Sequence, residues 1–257
     1  MNEATHFLKT IENEIEKWIP GQSIDCVVLG FEENTLKVLL LKWKQVNRWS
    51  LPGGFIYKDE NMDSAAVRIL EERMGLKSIF LSQFHTFGDF GRRDKEELKE
   101  ISGQLDNSIS RLGKWLTQRF ITTGYIAFAD IRKANPKPDF LSEKCEWVDI
   151  HQLPVLIFDH QHIISYALNF IRIRLNYVPF GKSLLQQKFT MSELQKLYES
   201  ILGKNLDRAN FQKKMLKLGI FNREEKLLLG TANKAPYLYS FHNENYEMLI
   251  KKGIGYL

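Results

Sequence analysis

The chain has 257 residues, 44% apolar and 26% charged, a balance that excludes wholesale disorder and allows a buried core. Its formal charge of +5 is unevenly placed: residues 183–257 hold 12 Lys or Arg against 7 Asp or Glu, which leaves 24 of each in the first 182 residues. A step in charge at this length argues for two domains. Two lone cysteines, Cys26 and Cys145, exclude a disulfide scaffold and a cysteine zinc site. Both fall in apolar, strand-like segments and read as buried thiols of a reducing cytoplasm. The first residues, MNEATHFLKT, lack the apolar region of a signal peptide, and no run nears the ~18 apolar residues of a membrane span. A cytoplasmic protein is expected.

In chain order, Phe7, Leu8, Ile11, Ile15 and Trp18 recur at helical spacing and predict a helix over 6–18, stopped by Pro20-Gly21. Residues 1–20 are therefore set apart as an N-terminal helix. The segments 24–31 and 36–43 form a predicted hairpin around Glu32-Glu33-Asn34-Thr35. A helix capped by Asn61 or Asp63 runs to Gly75. Strand signals recur at 78–87, 120–131 and 143–150. Between them, residues 91–118 read as an insertion, in the plainer reading a charge-dense solvated excursion over the surface and in the other a segment that reshapes the pocket or the dimer contact. A helix is predicted over 159–176, and residues 177–181 form a linker.

Past the linker, Thr190-Met191-Ser192-Glu193 is a capping box that opens one helix, and Asp207 caps a second, RANFQKKMLKL, ended by Gly219. Two strand-like runs, EKLLLG (225–230) and PYLYSFH (236–242), follow, joined by TANKA. Helix, turn, helix and hairpin is the order of a winged helix-turn-helix. With Phe211, Met215 and Leu218 turned inward, Asn210, Lys213 and Lys217 share the outer face of the second helix. Arg208 stands in its first turn, and Gln212 and Lys214 lie on its flanks. Asn reads adenine bidentately and Lys reaches guanine edges or phosphates, so this face suits the major groove. Arg223, Lys226 and Lys234 of the wing are placed for backbone phosphates.

The stretch from Gly54 through Glu60, Arg68, Ile69, Leu70, Glu71, Glu72, Arg73 and Gly75 resembles the Nudix box, and Trp49-Ser50-Leu51-Pro52-Gly53 upstream is similar to what Nudix proteins carry. The resemblance implies an α/β/α sandwich around a mixed sheet over residues 21–177. It also implies Mg²⁺-assisted hydrolysis of a nucleoside diphosphate linkage, in which the box glutamates hold the ion. Positions 69, 72 and 73 share one helix face, and here they carry Ile69, Glu72 and Arg73. Gly54, Glu60, Arg68 and Glu72 keep their box identities, but a lost carboxylate and an added cation oppose metal binding. No catalytic residue, metal site or cofactor is therefore assigned, with Mg²⁺ expected only if hydrolysis were retained. The retained pocket would hold an effector, with Lys42, Arg48, Trp49, Phe55, Tyr57 and Glu72 as candidate liners, and Phe87, Asp159 and His160 as further ones. An isolated His160 reads as structural.

Taken whole, the chain resembles the Nudix-related transcriptional regulators. The resemblance is carried by the box, by Leu153-Pro154-Val155-Leu156-Ile157-Phe158-Asp159-His160, by the stretch from Phe189 to Glu199, and by Leu206-Asp207-Arg208-Ala209-Asn210-Phe211. It implies an effector domain followed by a winged helix over 178–257 that binds double-stranded operator DNA as a homodimer. The effector would be a sugar, such as arabinose, or an ADP-ribose-like molecule, and the general look of the chain is closer to the sugar-responsive branch. The expected function is a ligand-responsive repressor; the alternative is an active Nudix hydrolase of a compound such as ADP-ribose.

Overall fold

A computed structural model describes residues 14–44, 46–75, 80–93, 95–104, 114–115, 117–139, 141–175, 179–227 and 235–252. By internal contacts the chain divides into two compact units. One is built from residues up to Val28, Val38–Ala127 and Ala134–Ala167, the other from Leu29–Lys37, Phe128–Lys133 and residues from Leu168 onward. No described helix is long and apolar enough to cross a membrane.

A seven-stranded mixed sheet organises the first unit. It comprises β1 (Trp18–Glu32), β2 (Thr35–Trp43), β3 (Trp49–Ser50), β4 (Gly53–Tyr57), β5 (Phe80–Phe87), β6 (Ile121–Phe128) and β7 (Ser142–Asp149). The order is β3-β2-β1-β6-β5, with β4 on β1 and β7 on β2. The β1–β2 turn has positive φ at both Glu33 (50°) and Asn34 (60°), the backbone twist that a two-residue hairpin needs. Ile24, Val27, Val28 and Val38 through Leu41 are at most 1% exposed and form the centre of the core. Buried stripes on helix α1 (Met62–Met74) and helix α3 (His160–Arg174) complete it: Ala65, Ala66, Ile69 and Leu70 on one, Ile163, Ile164 and Ala167 on the other. Helix α2 (Lys95–Gln104) lies within the 91–118 segment.

Three local expectations for this unit are corrected. Of the predicted N-terminal helix, residues 1–13 lie outside the described residues, and only Glu14 and Ile15 are helical. Strand β1 begins at Trp18 and passes through Pro20-Gly21, because pairing with β4 (Trp18↔Tyr57, Ser23↔Phe55) absorbs the break as a bulge between Trp18 and Ser23. Asn61 occupies the cap position of α1, but its side chain makes no cap hydrogen bond, and the Asp63 carboxylate instead accepts the Tyr125 hydroxyl at 2.5 Å. Gly75 does end α1, with φ 65° and its N–H on the Glu71 carbonyl. Cys26 is fully buried, whereas Cys145 is only half-buried, and both thiols are free.

In the second unit, β8 (Phe189–Thr190), α4 (Met191–Leu202), α5 (Arg208–Lys217), β9 (Phe221–Lys226), β10 (Tyr237–Phe241) and α6 (Asn243–Lys252) build the winged helix. The capping box is formed in both directions: Thr190 Oγ1 accepts the Glu193 N–H and the Glu193 carboxylate accepts the Thr190 N–H. Glu199 accepts from Leu206 N and from Gln195, which pins the turn between the two helices. Strand β9 starts at Phe221, earlier than the predicted 225–230, because the Phe221 ring docks with Phe189 and Phe241 beneath the β8-β10-β9 sheet. Helix α6 follows the hairpin at which the predicted order ends. It is held by tertiary contacts of Tyr246, whose hydroxyl donates to the Pro179 carbonyl.

Candidate functional site

Pairing in the first unit opens a cavity of about 440 Å³ between β1, β4, α1 and the loops that end at Arg93 and Phe158. Close backbone approach shapes its floor. A Cβ on Gly53 would lie 2.7 Å from the Asp25 carboxylate, and one on Gly54 would lie 2.9 Å from the Ile69 side chain. One wall is aromatic: Trp18 and Phe55 lie 4.5 Å apart between ring centres, and Phe55 and Phe120 lie 5.4 Å apart. Buried Trp115 packs behind them.

Four arginines line the cavity. Arg68 donates to both oxygens of Glu60 and to the Phe55 carbonyl, over the face of Tyr57. Although burial opposes it, this pairing and the Tyr57 N–H hold the Glu60 carboxyl below the usual carboxylate range. Arg92 is buried and donates bidentately to Asp159 at 2.9 and 2.8 Å, with Asp25 at 3.7 Å. Arg93 is sandwiched between Phe158 and Phe120, 4.2 and 5.2 Å from their ring centres, and donates to the Gln118 carbonyl. Burial, with Arg92 beside it, lowers its pKa to about 10, so it remains charged at neutral pH. Arg73 faces Asp139 at 3.6 Å, and its Nε is buried with no hydrogen-bond partner. His160 is buried; its Nδ1 accepts the Leu51 N–H and its Nε2 lies 3.6 Å from Asp25. Burial lowers its pKa, so the ring is the neutral tautomer with Nε2 protonated.

Of the candidate liners, Phe55, Tyr57 and Glu72 meet at this cavity, and so does His160. Lys42, Arg48 and Trp49 are not among the residues that line it. In the β2–β3 pairing Lys42 sits opposite Trp49, on the other face of the ladder from Leu41 and Ser50. Trp43 and Ser50 therefore line the cavity instead, joined by a 3.0 Å hydrogen bond, while Lys42 pairs with Glu143. Arg48 is drawn to Glu97 and Glu100. Phe87 packs among His85, Phe84 and Tyr166, and Asp159 acts on the cavity through Arg92.

The expected solvated excursion at 91–118 is corrected as well. Arg92 and Arg93 of that segment line the cavity, Trp115 packs behind its aromatic wall, and Glu97 of α2 accepts the N–H of Phe158 at 3.0 Å, holding that residue at φ 49°. The density of charge in 91–100 was visible, but nothing local marked its inward turn.

The Mg²⁺ implied by the box does not fit the residues present. Ile69 is 2% exposed and packed under Gly54. Glu60 is consumed by Arg68, Glu72 lies 3.5 Å from the same arginine, and Arg73 brings a cation to the site. No group of three or more His, Cys, Asp or Glu suited to a metal occurs among the described residues. A hard ion that needs several oxygen ligands has no carboxylate cluster to hold it.

In the second unit the geometry of α5 follows the face reading. Phe211 and Met215 are buried, and Tyr198 of α4 meets Phe211 at 5.3 Å. Arg208, Asn210, Lys213, Lys214 and Lys217 are exposed and Gln212 is half-buried. The Asp207 carboxylate caps the helix on the Asn210 N–H at 2.9 Å. Arg223 stacks 3.4 Å from the centre of Tyr237, with Lys226 at 5.3 Å from the same ring, so the aromatic holds both wing cations in place. Lys234 lies outside the described residues.

Residues 20–167 match the NUDIX domain family and residues 181–241 match the NrtR DNA-binding winged helix domain. The chain is 28% identical over 245 residues to the ADPR responsive transcriptional repressor NtrR of Acinetobacter baylyi, an alignment spanning 92% of this chain and 88% of that protein. Among solved structures it is similar to Shewanella oneidensis NrtR, with a TM-score of 0.65 and 22% identity over 88% of this chain and 96% of that one. The same protein bound to a 27mer DNA gives a TM-score of 0.65 and 21% identity, covering 88% and 95%. A MutT/nudix family protein of Enterococcus faecalis gives 0.62 and 20% identity, covering 94% of both chains. The chain belongs to the Nudix family, and its Nudix domain is followed by a DNA-binding winged helix domain of the NrtR kind.

Proposed function

We propose that the protein is a transcriptional repressor that binds operator DNA as a homodimer and whose Nudix domain senses an ADP-ribose-like nucleoside diphosphate. The observation that carries the DNA-binding half is α5, a capped helix with a buried apolar stripe and an exposed face of Asn210, Lys213 and Lys217. The Acinetobacter baylyi repressor, similar over most of its length, supports the ligand class, and the DNA-bound Shewanella oneidensis protein supports the partner. An aromatic wall suits a base, and cationic groups in the same cavity suit phosphates. Two winged helices related by a twofold axis would read half-sites about one turn apart. The effector shifts DNA affinity only in so far as it favours one arrangement of the protein over another.

A second ligand reading, a pentose, is favoured by one feature. Asp25 lines the cavity floor with its ionic neighbours at 3.6 and 3.7 Å, an acceptor suited to sugar hydroxyls beside a Trp18 face. Thermal-shift titration with ADP-ribose and with arabinose separates the two. The DNA-binding half is tested by mobility shift on the duplex upstream of the protein's own gene, with and without ADP-ribose, at several salt concentrations. Absence of any preference over random duplex would sink the repressor reading, and full Mg²⁺-dependent ADP-ribose turnover would sink the reading of the Nudix domain as a pure sensor.

A further inference from the structure

We infer that the Nudix cavity takes the diphosphate of its ligand without a divalent cation, with the guanidinium groups of Arg73 and Arg93 supplying the positive charge. The inference rests on the reading of the ligand as a nucleoside diphosphate and names how this chain would hold that group.

The four cavity arginines are not equivalent. Arg68 and Arg92 are each held by a bidentate carboxylate and a backbone carbonyl: Glu60 and Phe55 for the first, Asp159 and Phe120 for the second. Arg73 and Arg93 are not. A guanidinium carries five N–H donors. Among the described residues Arg93 spends one on the Gln118 carbonyl and is otherwise held by two aromatic faces. Arg73 has an orphaned Nε and a single carboxylate at 3.6 Å, longer than a hydrogen bond. A buried donor without an acceptor, as the Arg73 Nε is, is costly in a resting protein and marks a place where an acceptor is expected. Both arginines line the cavity.

Position matters as much as count. Arg73 stands one turn beyond Ile69 on the box helix, where a metal-binding box would present carboxylates toward the ion. Ile69 is packed under Gly54 and offers no ligand, and Arg73 would repel a divalent ion drawn to Glu72. The same exchange that removes the metal leaves a fixed cation that binds phosphate oxygens bidentately. The substitutions at 69 and 73 therefore act together. They remove the Lewis acid that would activate water, and they keep the charge that neutralises a diphosphate. Such a site binds its ligand and does not cleave it, which is what a sensor requires.

The test is calorimetric titration of the full chain with ADP-ribose, once in excess EDTA and once in excess MgCl₂. The expected result is an affinity that agrees within about twofold between the two buffers. Arg73→Gln should weaken binding at least about tenfold, and Arg73→Lys, which keeps the charge but not the bidentate fork, should recover only part of that loss. Melting of the ligand-free proteins checks that both variants fold, and the comparison of buffers on the unaltered chain needs no variant. Binding that disappears in EDTA would overturn the inference and leave the ligand reading standing. Equal affinity of the unaltered and Arg73→Gln proteins would overturn it too. No binding of ADP-ribose in either buffer would remove the ligand reading, and the inference with it.

Discussion

In the Nudix unit Arg68, Arg73, Arg92 and Arg93 turn inward around one cavity. In the winged helix Arg208, Lys213, Lys214 and Lys217 stand outward, with no ion-pair partner among the described residues. The first group is held by carboxylates and rings at fixed distances, so its geometry is preorganised for a small ligand of defined shape. The second is exposed to solvent, which suits a long polyanion whose phosphates repeat and whose counterions are released on binding. The same residue types thus serve recognition of two kinds, and burial decides which.

Four experiments bear on this contrast. The largest effect is expected from Asn210→Ala combined with Lys213→Ala: operator affinity should fall about a thousandfold, near 4 kcal/mol. ADP-ribose should still raise the melting temperature of that variant, and joint loss of both responses would break the division of labour. Next, Arg92→Ala strands Asp159 and Asp25 in the interior and should cost about 3 kcal/mol of stability in a urea melt. Arg93→Ala removes no bidentate pair and should cost far less stability while weakening ligand binding. Similar stability losses for the two would erase the distinction between structural and ligand-facing arginines. Third, Thr190→Ala removes the capping box of α4 and should destabilise the winged helix by about 1 kcal/mol, with ligand binding to the Nudix unit unchanged.

The smallest effect is a pH dependence. Lys196, the Leu206 N–H and Gln195 hold the Glu199 carboxyl at about 2, below its ordinary value of about 4.3. A depressed carboxylate stabilises the folded state fully above its unfolded value and loses that contribution as pH falls toward its folded one. The winged helix should therefore weaken between about pH 4.3 and 2, and Glu199→Gln should flatten that limb of the melting profile.

Much of the winged helix is legible locally. A Thr three residues before a Glu, an Asp before a helix, and Phe211 and Met215 four apart are short-range patterns, and the hydrogen bonds they imply close within one turn. The box helix is legible for the same reason, and so is the gap at Ile69 and Arg73. Local reading failed where an element is fixed by a distant partner. The sequence points to Lys42 and Trp49 as liners whereas Trp43 and Ser50 line the cavity, because facing alternates along a strand and only the β2–β3 register says which set turns inward. Pro20-Gly21 looked like a terminator, yet pairing with β4 carried β1 through it.

From its sequence alone the chain declares two domains, the cationic helix of the second and a box whose carboxylate face is broken, because charge distribution, capping and helical periodicity are properties of neighbours in the chain. Tertiary structure decided what fills the cavity. Asp25 and Arg92 stand 67 residues apart in the numbering, and Glu97 meets Phe158 across 61. No periodic pattern records such a meeting; sheet register and the inward turn of the 91–118 segment create it. Whether an arginine is a solvated charge or a waiting donor is settled only by which acceptors the fold has brought beside it.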